Sequence, residues 1–135
     1  MKKTVTIEQI EFIKAKPAEV YQAYVDPKKH SAFTGAEATG EPKEGGKFSA
    51  WDEYISGKFL KLEKGKRIVQ EWETTEWPEG YGPSIVDLSF IEKGDGTEIR
   101  MVHSKVPAEQ AKSYERGWID FYWKPMKKYF ESKKG

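Results

Sequence analysis

No cysteine occurs in the 135-residue chain, which excludes disulfides, thiolate zinc sites and a cysteine nucleophile together. An excess of one charge is missing too: 23 basic and 22 acidic side chains leave a net charge of +1, so no overall field recruits nucleic acid. Apolar runs are short, and none approaches the roughly 20 residues that span a bilayer. Met1-Lys2-Lys3 has the basic start of a secretion signal, but Glu8 and Glu11 stand where its apolar segment would lie. The expectation is a cytoplasmic protein with neither nucleic-acid nor membrane partners. The two histidines, His30 and His103, are far apart and lack spaced carboxylates, a poor basis for a metal centre. No metal or cofactor is expected. Nor is there a phosphate-cradling glycine loop, since Gly94-Asp95-Gly96 reads as a hairpin turn and Gly45-Gly46 precedes a strand.

What is present is aromatic bulk: five Trp, seven Tyr and seven Phe, too much apolar surface to leave in water despite the high charge content. The length suits one domain over residues 1–135, able to bury about two thirds of its unfolded surface.

Thr4 to Ile13 reads as a strand with a phase change, and a β-bulge near Glu8-Gln9 would bring Val5, Ile7, Ile10 and Phe12 to one side. A strand buried on both faces fits as well. Two short helices follow back to back from Pro17 to Thr34, with Pro17 and Pro27 at first positions, Asp26 as N-cap and Gly35 as the stop. His30, on the second, is expected in solvent. About six strands joined by short turns come next, as in an antiparallel meander. Val86, Leu88 and Phe90 alternate with polar residues, as do Ile99, Met101 and His103. Asp52-Glu53 reads as a hairpin turn in which Asp52 bonds its own backbone, and Glu71 and Glu73 as solvated. From Ala108 to about Ser132 the period becomes helical. Pro125 predicts a kink, and Gly117 costs about 1 kcal/mol against Ala, which a close backbone approach could offset. Lys124, Lys127, Lys128, Lys133 and Lys134 read as a solvated face. One curved antiparallel sheet crossed on its inner face by a single long helix satisfies this order.

Several segments carry a resemblance. They are Pro17-Ala18-Glu19-Val20-Tyr21, Trp51-Asp52-Glu53-Tyr54-Ile55-Ser56-Gly57, Gly65-Lys66-Arg67-Ile68-Val69-Gln70, Trp77-Pro78-Glu79-Gly80, Gly96-Thr97-Glu98-Ile99, His103-Ser104-Lys105-Val106-Pro107, Gly117-Trp118 and Tyr122-Trp123-Lys124-Pro125. Together, and in order over nearly the whole chain, they resemble the C-terminal domain of the activator of heat-shock protein 90 ATPase and its free-standing bacterial homologues. That family lies in the START-like (SRPBCC) superfamily, which shares the helix-grip fold of the major birch-pollen allergen. The chain departs at Glu53, where the family often has Gly.

The resemblance implies an α+β helix-grip fold: a curved antiparallel sheet of about six to seven strands wrapped on one long C-terminal helix, with two short helices after the first strand. It also implies a space between sheet and helix. The residues expected to line it are Phe48, Trp72, Val86, Leu88, Phe90, Ile99, Met101, His103, Tyr114, Trp118, Phe121 and Tyr122, either as the wall of an apolar ligand site or as a filled core. His103 would be a polar anchor, a general base or a satisfied core histidine. Trp77 and Tyr81 read as a lid, a partner contact or local loop packing. Three functions follow as expectations: a non-enzymatic module holding a small apolar molecule, a domain acting on heat-shock protein 90, and a cyclase- or hydrolase-type enzyme with Tyr54, Tyr114 or Tyr122 assisting His103. The first is preferred on the coincidence of one-sided strands, an aromatic helix and the superfamily resemblance; equivalent co-chaperone activity is not expected to carry over, because the eukaryotic co-chaperone works with a second domain for which these residues leave no room. A monomer or weak dimer is expected.

Overall fold

The structure is a computed structural model and describes residues 3–133. Seven strands form one sheet in the order β1-β7-β6-β5-β4-β3-β2, every neighbouring pair antiparallel. They are β1 (Thr4–Ile13), β2 (Thr39–Gly40), β3 (Lys47–Ala50), β4 (Ile55–Glu63), β5 (Arg67–Thr74), β6 (Ser84–Lys93) and β7 (Gly96–Pro107). Two short helices, α1 (Pro17–Val25) and α2 (Pro27–Thr34), separate β1 from β2. Their boundary is set by Asp26, whose carboxylate accepts from the Lys28 N–H at 2.9 Å, and α2 stops at Gly35 with φ 80°.

Period-2 alternation places the core. On β5, Ile68, Gln70, Trp72 and Thr74 are buried between half-exposed neighbours; on β6 it is Ser84, Val86, Leu88 and Phe90. Register then builds rows across the inner face: Ile68 opposite Leu88 opposite Met101, and Gln70 opposite Val86 opposite His103. Such rows interdigitate into a solid layer.

The first strand differs from expectation. Its inner face carries Ile7, Gln9, Glu11 and Ile13, while Ile10 (65% exposed) and Phe12 point outward. Its two inward polar residues find partners on the terminal helix: Gln9 donates to the Glu115 carbonyl at 2.8 Å and accepts from the Trp123 indole at 2.7 Å, and Lys127 meets Glu11 at 2.6 Å. With those places filled by paired polar groups, no phase change occurs at Glu8-Gln9. The irregularity lies instead where Val5 opposite Val106 gives way to Ile7 opposite His103, an extra residue on β7 accommodated by Lys105 at φ 60°.

The long helical segment is not uniform. After a 3-10 turn (Ala108–Gln110) come α3 (Ala111–Trp118), a π-helical turn (Ile119–Trp123) and α4 (Lys124–Lys133). The Lys124 N–H bonds the Ile119 carbonyl, five residues back. Pro125 has no N–H to give, and the wide turn stands immediately before it, absorbing the break that the sequence places at Pro125 itself. Lys134, at the end of the lysine-rich face, lies outside the described residues.

Candidate functional site

Between β4, β5 and the helix lies a cavity of about 360 Å³, lined by Trp51, Tyr54, Ile55, Trp72, Tyr114, Gly117, Trp118, Phe121 and Tyr122. That is within the usual size of small-molecule sites, about 300–1,000 Å³.

Both of its rims are irregular backbone. On the sheet side, Trp51, Asp52 and Glu53 are three consecutive non-glycine residues in the left-handed region, at φ 53°, 56° and 71°. Asp52 holds this arc to the loop before β2: its carboxylate accepts from the Glu37 N–H at 2.9 Å, and its own N–H donates to the Glu37 carbonyl at 3.0 Å. The left-handed backbone turns the Asp52 side chain toward residue 37, which corrects the expectation that it bonds its own backbone. On the helix side is the π turn. Its extra residue puts Tyr122 inside and Phe121, expected inward, at the rim: Phe121 is 56% exposed and meets Trp51 edge-on at 5.4 Å.

The floor is aromatic. Trp72 stacks on Trp118 at 5.8 Å and meets Tyr114 edge-on at 5.2 Å, and Trp118 packs on Tyr122 at 4.8 Å. The Tyr54 hydroxyl donates to Glu76 at 2.6 Å, and the Tyr114 hydroxyl donates to Gln110 at 2.8 Å while accepting from Thr74 at 2.7 Å. Desolvation raises the pKa of Tyr54, Tyr114 and Tyr122 above the ordinary phenol value, so the wall stays uncharged. The Trp72 indole N–H is buried with no acceptor, and that of Trp51 approaches the Tyr122 hydroxyl without closing a hydrogen bond.

His103 sits behind this wall, fully buried. Its Nδ1 accepts from the Trp118 indole at 3.0 Å, so Nε2 carries the proton and donates to the Ser84 hydroxyl at 2.8 Å; Ser84 donates onward to the Trp72 carbonyl at 2.5 Å. Burial pushes its pKa down to about 3. His30 is buried as well, against the expectation of solvent, because its face of α2 packs on Tyr24 and the π turn. Its Nδ1 donates to the Tyr24 carbonyl at 2.8 Å and its Nε2 accepts from the Tyr122 hydroxyl at 3.1 Å; burial lowers its pKa to about 4.

Of the twelve residues expected around the space, Trp72, Tyr114, Trp118, Phe121 and Tyr122 come together in the cavity wall. Val86, Leu88, Phe90, Ile99, Met101 and His103 are buried in the core layer, and Phe48 packs on Phe59 at 5.1 Å. Trp77 lies one layer behind the floor, stacked on Tyr114 at 5.8 Å with its indole bonded to the Gly82 carbonyl at 3.0 Å; the half-buried Tyr81 donates to the Lys3 carbonyl at 3.3 Å. Trp51, Ile55 and Gly117 were not anticipated. The signals were there in outline: a glycine in mid-helix, and Glu53 at a turn position that favours glycine. Among the described residues no three His, Cys, Asp or Glu side chains gather as metal ligands, and no helix is long and apolar enough to cross a membrane.

Known proteins share this fold. Residues 14–131 match the family described as activator of Hsp90 ATPase homolog 1-like protein. Over 114 residues the chain is 37% identical to the human activator of 90 kDa heat shock protein ATPase homolog 1, covering 84% of this chain and 33% of the human one. It thus spans about a third of the length of the curated relatives it matches. Among solved structures, an HSP90 activator from Plasmodium falciparum superposes with a TM-score of 0.80 at 26% identity, over 87% of this chain and 89% of that one. Ara h 8.0201 superposes with a TM-score of 0.77 at 12% identity, over 96% and 99% of the two chains, and shares the fold alone. A helix-grip sheet and a family match over residues 14–131 lead to one assignment: the chain belongs to the activator of Hsp90 ATPase homolog 1-like family.

Proposed function

We propose that the chain is a co-chaperone-type domain that engages an Hsp90-class chaperone. The observation that supports this reading is its 37% sequence identity, over 84% of its length, with a human protein named as an activator of that chaperone's ATPase. The loop between β5 and β6, bearing Trp77 and Tyr81, is the surface we assign to the contact. The test is the ATPase rate of a purified Hsp90 with the 135-residue chain added to saturation. A rise is expected; an unchanged rate at saturation removes the reading.

The cavity favours a second property. A pocket of about 360 Å³ that opens at the Phe121 rim, walled by aromatic side chains, suits a small, mostly apolar molecule held between helix and sheet. Native mass spectrometry of the protein from its own host is expected to show such a molecule retained. Only apo mass, under conditions that keep known complexes intact, argues the other way.

A further inference from the structure

The glycine at position 117 has no structural reason visible in its surroundings. It lies within α3, where glycine is the least favourable residue after proline, and its backbone is not left-handed. A Cβ built there would meet, beyond the helix's own backbone, only the Phe121 ring at 3.8 Å, an ordinary contact. No neighbouring backbone comes close enough to require glycine. What Gly117 does border is the cavity, and any side chain at this position would grow into that space.

The wall around it limits what could fit. Seven of its nine residues are aromatic and none is Lys, Arg, His, Asp or Glu, so a charged guest would meet no partner and lose its hydration. The tyrosine hydroxyls of Tyr54 and Tyr114 already donate within the protein, to Glu76 and Gln110, and that of Tyr122 to His30. The indole N–H groups of Trp51 and Trp72 have no acceptor, but both are buried away from the open space, so the wall offers a guest apolar ring faces rather than hydrogen bonds.

We infer that Gly117 is the position that sets the cavity's specificity, leaving a bare strip of helix on which a flat, uncharged, ring-containing molecule lies between the aromatic side chains. The inference rests on the ligand reading of the cavity and goes further, naming the ligand's chemistry and the residue that admits it. Helix stability is given up at this position to keep the space open.

The opposed effects on stability and binding make this testable. The probe is prodan, a flat, neutral naphthalene whose fluorescence reports its transfer from water to an apolar site. Gly117→Ala should raise the urea midpoint yet weaken prodan. Gly117→Leu should weaken it by about tenfold or more, the scale of an overfilled apolar site, with circular dichroism reporting retained helix. Wild-type affinity in Gly117→Leu overturns the inference while leaving the ligand reading in place. So does a lowered midpoint in Gly117→Ala, which would mean that the glycine serves the neighbouring π turn. Failure of the wild-type protein to bind prodan removes the ligand reading, and the inference with it. Should Gly117→Leu not fold, the paired midpoint and affinity of Gly117→Ala decide the matter alone.

Discussion

On the His103 side of the Trp72–Trp118 pair, the interior is solid, and His103, Ser84 and the Trp118 indole are all hydrogen-bonded. On the Trp51 side, the same kinds of residue leave about 360 Å³ unfilled and the Trp51 and Trp72 indoles without an acceptor. Composition does not separate the two, since both are aromatic. Backbone regularity does. Where β5, β6 and β7 run in register, their inward side chains line up in rows that fill the layer. Where one wall is a left-handed arc and the other a π turn, the side chains splay and the layer opens. Unfavourable backbone of this kind concentrates at functional sites, and here two instances of it face each other across one space.

The largest expected effect compares one residue from each side. Met101→Ala removes a fully buried side chain from the solid layer and should cost about 2–5 kcal/mol. Phe121→Ala removes a larger side chain, but one that is 56% exposed at the rim, and should cost less than about 1 kcal/mol. Urea unfolding of the two variants measures the difference. Equal losses would mean that the rim is as tightly packed as the core, and the contrast would disappear.

A second effect, of the same order, follows from the two histidines. Both have folded pKa values, about 4 for His30 and about 3 for His103, below the unfolded value of 6.5. As the pH falls, the unfolded chain therefore takes up protons first. The stabilising contribution of each neutral histidine is complete above pH 6.5 and is lost through the acid range toward pH 4 and pH 3, respectively. The slope is about 1.4 kcal/mol per histidine for each pH unit below 6.5. Urea midpoints between pH 6.5 and 5 check it, and a His30→Gln variant that still folds should show half the wild-type slope. An undiminished slope would place the titration elsewhere than in these two buried rings.

Much of this fold can be read locally, and what cannot be read shares one cause. Asp26, Pro27 and Gly35 delimit α2 through bonds that span two to four residues, and the alternation of β6 and β7 needs only the pleat. The polar inner face of β1 could not be read, because Gln9 is matched by Glu115 and Trp123, which lie more than a hundred positions away. Likewise, His30 looks solvated on its own short helix and is buried only because Tyr122 reaches it, 92 residues on. The cavity was half legible. The helical aromatic stripe supplied Tyr114, Trp118 and Tyr122, but the left-handed arc is built without glycine and its one trace in the sequence is Glu53 at a turn position that favours glycine, so Trp51 and Ile55 stayed hidden. Gly117 was visible as an anomaly, and the close backbone approach expected to offset it is not there.

The smallest effect tests the divide at its seam. Gln70 lies on β5 two residues before Trp72, is fully buried, and neither end of its amide has a hydrogen-bond partner. It is the exception on the solid side. An unpaired buried amide loses its hydration without return, so replacing it with an apolar side chain of similar length is favourable. Gln70→Met should therefore raise stability by about 1 kcal/mol, read as a higher urea midpoint at pH 7. The alternative has a physical basis in the same place. An enclosed space of about 10 Å³ adjoins Gln70, bordered by His30, Phe48 and Phe59, and this is near the least volume that holds one water. If Gln70→Met instead loses stability, the amide is bonded through such a water. The solid side would then be fully paired, and unmet hydrogen-bonding capacity would be confined to the hollow side.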